Sequence, residues 1–318
     1  MAMPNARKSD LLLVGVTLMA AISWMFSKEA VLLMPPLLFM ALRFLLAGTI
    51  LCVFAAPALL RLNKDQLKRG AGVGLVFGIA MSCWVMGLFH ATHVGEGAFL
   101  VSLGVVIVPI IARFVYKEPQ PASTWFAIPV AVTGLALLSL KNGFRPEIGQ
   151  VFFVVAAFIF ALYFNLNTRA ANQRTERNRD GVAVEKARVP TLPLTAIALM
   201  CVGAVTLTES LFLEPWAPTF NQFPPILALW IAASAIVGTA GRFLVQTYAQ
   251  SLSAQSHGVV FLVLEPIWVA VFATLWFGES MAASQLAGCA LIFMALLINR
   301  WGTIRKALKA WRRNRKSA

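Results

Sequence analysis

Charged side chains are scarce in this sequence. They make up 13% of its 318 residues, where an ordinary soluble domain carries about 25%. With 59% hydrophobic residues and a mean hydropathy of +0.77, too little polar surface remains to cover a water-facing globule. That excludes a soluble fold and leaves lipid as the solvent. The chemistry of common sites is missing as well. There are three histidines, and the four cysteines (Cys52, Cys83, Cys201, Cys289) lie far apart, each inside an apolar run. No metal-ligand spacing or disulfide framework results, and the thiols read as buried and unreactive. A membrane enzyme would need a His-Glu-x-x-His element, paired aspartates or a Ser-His set at one depth, and none is visible. No catalytic residues are therefore assigned. No nucleotide-binding loop or cofactor motif is present either, so any transport would draw on an ion or substrate gradient.

Basic charge, by contrast, is plentiful: 27 Lys and Arg against 13 acids, a formal net charge of +14. Such a balance suggests nucleic acid until the positions are examined. Most of the charges lie between apolar runs and at the two ends, which suits loops held at the anionic face of a membrane. A membrane helix needs about 20 mostly apolar residues. The runs predict ten spans, near 10–28, 36–58, 70–90, 95–116, 121–140, 148–169, 191–213, 225–250, 255–277 and 281–300.

The positive-inside rule tests that count, because alternate loops must share a side. With the N-terminus inside, 22 of the 27 basic residues fall on the inner side and three, Lys28, Lys141 and Arg145, on the outer. Arg43 and Arg242 fall within spans. Both termini are therefore expected in the cytoplasm. A signal peptide over the first apolar run is the alternative for helix 1, but its removal would leave an odd set of nine spans. Residues 170–190 are polar and mixed in charge, and read as a flexible cytoplasmic linker. The basic tail 301–318 carries Trp301, Ile304, Leu308 and Trp311 near helical spacing. It suits either an amphipathic helix on the inner leaflet or a disordered tail.

The chain also repeats itself. Phe99-Leu100-Val101 leads to Glu118, and Phe261-Leu262-Val263 leads to Glu279, each Glu followed by Ala-Ser at matching offsets (Ala122-Ser123, Ala283-Ser284). A shorter echo links Ala20-Ala21-x-x-Trp24 with Ala156-Ala157-x-x-Phe160. Two units of five helices, 1–145 and 146–300, must enter the membrane from opposite sides. Inverted repeats of this kind build alternating-access carriers with a site near the midplane.

Gln246-x-x-x-Gln250, Leu264-Glu265-Pro266 and Trp276-Phe277-Gly278-Glu279 together resemble the drug/metabolite transporter superfamily, specifically its EamA-type members. Pro35-x-x-x-Phe39-x-x-x-Arg43-Phe44 is similar to that family's second-helix signature. Glu96-Gly97-Ala98-Phe99-Leu100 through Val108-Pro109 to Glu118 is similar to its fourth. The resemblance covers nearly the whole chain. It implies ten helices and export of amino acids, related metabolites or drugs across a bacterial inner membrane.

Ionisable groups inside lipid cost roughly 2.5–3.5 kcal/mol at a helix centre on insertion scales, so each needs a reason. Arg242 and Glu265 flank a turn expected near Ser253 and come to similar depth on adjacent antiparallel helices, where they can pair. Two readings stay open: a transport site in which Glu265 exchanges a proton or meets a substrate amine while Arg242 holds a carboxylate, or a permanent ion pair. Gln246 and Gln250 share a face with Arg242 and suggest either a cavity lining or interhelical bonding. Arg43 lies about 10 Å inside the outer end of helix 2, near enough to snorkel or to meet a substrate carboxylate. Lys28 and Glu29 are expected to solvate at the outer interface. Trp24 and Trp84 form either an aromatic wall or core. His90 and His93 lack a third ligand and read as interface residues. Pro109, Pro129 and Pro266 fall inside predicted helices, where kinks are expected. Gly70, Gly74 and Gly78 let a neighbouring helix approach.

The leading expectation is thus a secondary transporter of small metabolites, most naturally zwitterions such as amino acids, working as a monomer or homodimer with proton coupling as one energy source. Efflux of lipophilic cations is the nearest alternative, and a channel or structural helical protein the rival of another class.

Overall fold

The computed structural model describes residues 5–117, 119, 120, 122–139, 147–177, 183–221, 223–251, 264–299, 301, 302, 304 and 305. The helices are α1 (Asn5–Leu33), α2 (Pro36–Leu59), α3 (Lys64–His90), α4 (Val94–Ser102), α5 (Gly104–Phe114), α6 (Ala122–Ser139) and α7 (Ile148–Ala171). After strands β1 (Arg174–Arg177) and β2 (Ala183–Lys186) come α8 (Thr191–Leu213), α9 (Ala217–Asn221), α10 (Pro225–Ala235), a π-helical turn (Ile236–Gly241), α11 (Arg242–Ser251), α12 (Glu265–Phe277) and α13 (Ala283–Asn299). Seven stretches are long and apolar enough to cross a membrane: Leu11–Leu33, Pro36–Leu59, Lys64–His90, Val94–Phe114, Ile148–Ala171, Thr191–Leu213 and Pro225–Gln246. The apolar helices in the other three expected intervals, Ala122–Leu137, Glu265–Phe277 and Ala283–Asn299, are shorter.

Helices pair across the two halves of the sequence. α2 packs on α8, α6 on α13 and α4 on α12, while α3 packs on α7 and α1 on α10, α11 and α12. The glycine stripe of α3 works as expected. A methyl group at Gly74 would stand 2.6 Å from Cys201 Cβ and one at Gly78 2.9 Å from Val205 Cβ, so bulk there would push α8 away.

Backbone groups exposed at helix ends cannot be left to lipid, and side chains from distant segments satisfy them. Glu214 accepts from the Leu37 and Leu38 amides at the start of α2, at 2.8 and 2.9 Å. Glu279 does the same for Val94 and Gly95 at the start of α4 (2.8 and 3.2 Å). Asn63 and Gln66 form a capping box on α3. At the other end of α3, Lys28 Nζ donates to the Leu88 and Ala91 carbonyls (2.8 and 2.9 Å). Lys28 is therefore not merely solvated, as expected from its place near a helix end; it closes a helix whose C-terminal dipole favours a cation.

One further expectation needs correction. The 170–190 linker is not simply flexible. β1 and β2 pair antiparallel, Arg174 opposite Lys186, and the segment docks on the start of α3. Asp65 bonds both Arg69 and Lys186 at 2.8 Å, and Gln66 Nε2 donates to the Arg188 carbonyl at 2.7 Å. Pro266 is the second residue of α12, and the residues before Leu264 lie outside the described ones. Pro109 does lie inside α5, and Pro129 inside α6. The span that holds Pro109 breaks earlier, at Leu103, between α4 and α5. Glu118, the turn near Ser253 and most of the tail 301–318 lie outside the described residues.

Pro109 has no amide to give the Val105 carbonyl one turn back. Asn299 supplies the donor instead: its Nδ2 reaches Val105 O at 2.9 Å, and its Oδ1 accepts from Thr124 at 3.0 Å. Replacing Asn299 with Ala strands that carbonyl and should cost about 1–3 kcal/mol, read as a lower melting temperature in detergent. Pro109→Ala in the same protein returns an amide to α5 and should recover part of the loss. An Asn299→Ala effect indifferent to residue 109 would show that the bond does not compensate the proline.

Candidate functional site

Four helices (α1, α2, α11 and α12) and the π turn meet around two cations. On α1, Ser23 and Ser27 are one turn apart and face α2, while Trp24 between them faces α3, α7 and α12. A π turn adds a residue to the ordinary helical repeat and is common at functional positions. Here it packs Gly238 against Ser23 and directs Thr239 at α2, with Arg242 following immediately.

The first cation, Arg43, is 6% exposed. Its Nη2 donates to Ser23 Oγ (2.8 Å), its Nη1 to Ser27 Oγ (2.7 Å) and its Nε to Thr239 Oγ1 (2.9 Å). Ser27 and Thr239 pass their own protons to the Ser23 and Ser234 carbonyls. The rings of Phe44 and Phe39 stand 5.4 and 6.0 Å from the guanidinium carbon. Arg43 therefore does not snorkel: all three guanidinium nitrogens are engaged by neutral hydroxyls inside the bundle.

The second cation is held differently. Arg242 Nη2 lies 3.4 Å from Glu265 Oε2, and Trp24 Nε1 donates to the other carboxylate oxygen at 3.3 Å. Charge-assisted bonds of this type usually close to about 2.7–2.9 Å. Both side chains keep about a quarter of their surface, 26% and 23%. Arg242 Nε and Trp268 Nε1, the latter one turn on from Glu265, are buried donors without a partner among the described residues. The pair is formed but loose, with spare donors beside it.

Of the residues singled out in the sequence, Trp24, Trp84, Arg242 and Glu265 come together. The Trp24 and Trp84 rings meet edge to face at 4.8 Å, and Phe153 of α7 stands 5.8 Å from Trp24. Arg43 forms its own cluster, joined to the first through Ser23 and Trp24. Gln246 is half-buried one turn beyond Arg242, and the side chain of Gln250 lies outside the described residues. His90 stacks on Phe152 at 6.0 Å, away from the pair. The sequence reading missed Ser23, Ser27, Thr239 and Phe153. The spacing of the two serines, four apart on an apolar helix, was the one available signal.

If hydroxyls carry the burial of Arg43, Ser27→Ala should destabilise the protein by about 1–3 kcal/mol. Arg43→Lys should do so too, because an ammonium lacks the planar fork that meets three hydroxyls. Thermal unfolding in detergent reads both, and unchanged melting temperatures would refute this account of Arg43.

The EamA-like transporter family model matches the chain twice, over residues 7–140 and 147–301. A probable amino-acid metabolite efflux pump of Salmonella typhimurium is 26% identical to it, covering 93% of this chain and 96% of the relative. One of the same description from Escherichia coli is 24% identical over 96% and 99%. A protein of solved crystal structure superposes with a TM-score of 0.60 over 93% of this chain and 98% of its own, at 19% identity, a likeness of fold.

Proposed function

The chain belongs to the EamA-like transporter family, and on that premise we propose that it is a secondary transporter exporting amino acids or related zwitterions across a bacterial inner membrane. In this reading its ten apolar segments form two inverted five-helix repeats, with both termini in the cytoplasm, and the repeats alternate access to a site between them. The observation that carries the substrate class is the loose Arg242–Glu265 contact with the unused Arg242 Nε beside it. A zwitterion fits this pair in the sense that its carboxylate takes the free face of Arg242 and its ammonium meets Glu265. Trp24 and Trp84 then flank its side chain. The names of the bacterial relatives favour the same cargo and the outward direction. Glu265 is also the group we assign to proton exchange, since it is the acid of the pair and has only long bonds to give up. Arg43, held by three hydroxyls, is left to join α1, α2 and the π turn.

The test is a labelled amino-acid panel in proteoliposomes, comparing the parent protein with Glu265→Gln. At least one amino acid should be carried by the parent. Glu265→Gln, still monodisperse, should lower its rate by at least about tenfold, the size expected when a charged contact in a dry site is lost. Transport of lipophilic cations with no amino acid moved would replace the substrate class. Normal transport by Glu265→Gln would make the ion pair structural.

A further inference from the structure

The most deeply buried carboxylate among the described residues is not Glu265. Glu96, 3% exposed, lies on α4 in the first half of the chain and is met by two glutamines of the second half. Gln285 Nε2 donates to its Oε2 at 3.0 Å, and Gln150 Nε2 donates to its Oε1. Neither amide is free to turn. Gln285 Oε1 is held by the Ala282 amide (2.9 Å) and Gln150 Oε1 by the Glu147 amide (3.2 Å), so each glutamine presents only its NH2 group to Glu96. Glu96, Gln150 and Gln285 are each the third residue of their helix, α4, α7 and α13. Three helix N-termini therefore converge on one carboxylate, and their dipoles favour its charge.

This arrangement is a poor permanent bolt. A buried anion held by neutral groups keeps much of its desolvation cost, and an apolar residue would join three helices more firmly. The same cost makes the junction easy to open: once the helices part and water reaches Glu96, the charge regains its hydration. A contact stable when closed yet compensated when open is what a two-state closure requires. The surroundings fit that role. A cavity of about 10 Å³, room for one water, touches Glu96 and is walled by Thr92, His93 and Glu147. His93 Nδ1 is buried without a partner among the described residues. On the inner side of Glu96, the ring of Phe153 is pressed between Gly97 and Gly87. A methyl group at Gly87 would stand 2.8 Å from it, and Gly97 is closer still. Phe153 in turn touches Trp24, which bonds Glu265. An unbroken line runs from the Glu96 end of the bundle to the ion pair, and Phe153 fills it.

We propose that Glu96, Gln150 and Gln285 form the latch of the outer gate, with Phe153 as its plug. The proposal rests on the transport reading above. Its test does not depend on which substrate is carried. Leu100 is fully buried and lines the same small cavity. Leu100→Cys is placed in a protein whose four native cysteines are changed to serine, and its labelling by a membrane-impermeant maleimide is followed from each side of reconstituted vesicles. With the latch intact the thiol at 100 should react slowly from both sides. Glu96→Gln sets a third amide against two amide donors and should speed labelling from the outer side about tenfold or more. Gln285→Leu, which leaves the carboxylate in place, and Phe153→Ala, which removes the plug, should act in the same direction while the proteins stay monodisperse and their melting temperatures hold. Labelling within about twofold of the parent in the well-folded variants overturns the latch, as does acceleration from the inner side only. A failed amino-acid panel alongside accelerated outer labelling would remove the substrate and leave the gate.

Discussion

Lipid offers no hydrogen bonds, so every helix end and every buried polar side chain in this bundle must be answered from within the protein. With 13 acids in the whole chain, few are left for anything else. Glu214 and Glu279 reach across large sequence separations to close the starts of α2 and α4, and Glu147 serves α7. Lys28 closes the end of α3, and Asn299 fills the gap that Pro109 makes in α5. Apart from the local cap at Glu147, each bond joins segments remote in sequence, so satisfying the backbone also fixes which helices are neighbours. The architecture follows as much from these caps as from apolar packing, which in lipid has no hydrophobic drive between helices.

Against that background the two core arginines mean different things. Arg43 has each of its three guanidinium nitrogens on a hydroxyl at 2.7–2.9 Å, and two of those hydroxyls, on Ser27 and Thr239, are anchored to backbone carbonyls. Arg242 and Glu265 touch at 3.4 Å and leave donors unused. On the proposed transport reading the two sites serve together, because a responsive pair discriminates only if its frame stays still. Ser23 and Trp24, neighbours on α1, tie the fixed cluster to the loose one.

Seven of the ten expected spans were legible in the sequence because hydropathy reports them directly, and the Arg242–Glu265 pairing followed from rise per residue alone. What bonded Arg43 was not legible. Serine and threonine are nearly neutral in hydropathy, and the π turn that brings Thr239 to α2 shifts the register that a regular helix would predict. Lys28 looked like an interfacial charge because a cap depends on where another helix ends. The strands β1 and β2 were hidden in a polar stretch whose composition matches a linker. Glu96 was quoted only as part of a family-like motif, since the glutamines that meet it are 54 and 189 residues away.

The two ends of α3 are closed by interactions of unequal strength. At its start, the β1–β2 segment is tied by ion pairs on Asp65, whose side chain is 44% exposed. Such pairs contribute about 0–1 kcal/mol each. Near its other end, Glu96 is buried with two amides on it, and a hydrogen bond to a buried charge is worth about 1.5–3 kcal/mol. Phe153 adds apolar packing beneath. Bond for bond the contacts on Glu96 are the stronger, and the desolvation of its charge offsets part of that. In an alternating-access carrier the two closures exchange, and a weakly tied end opens at little cost. On the gate proposed above, the conformation described here is one whose Glu96 side is sealed, and the burial of that single charge limits how deep the sealed state can lie.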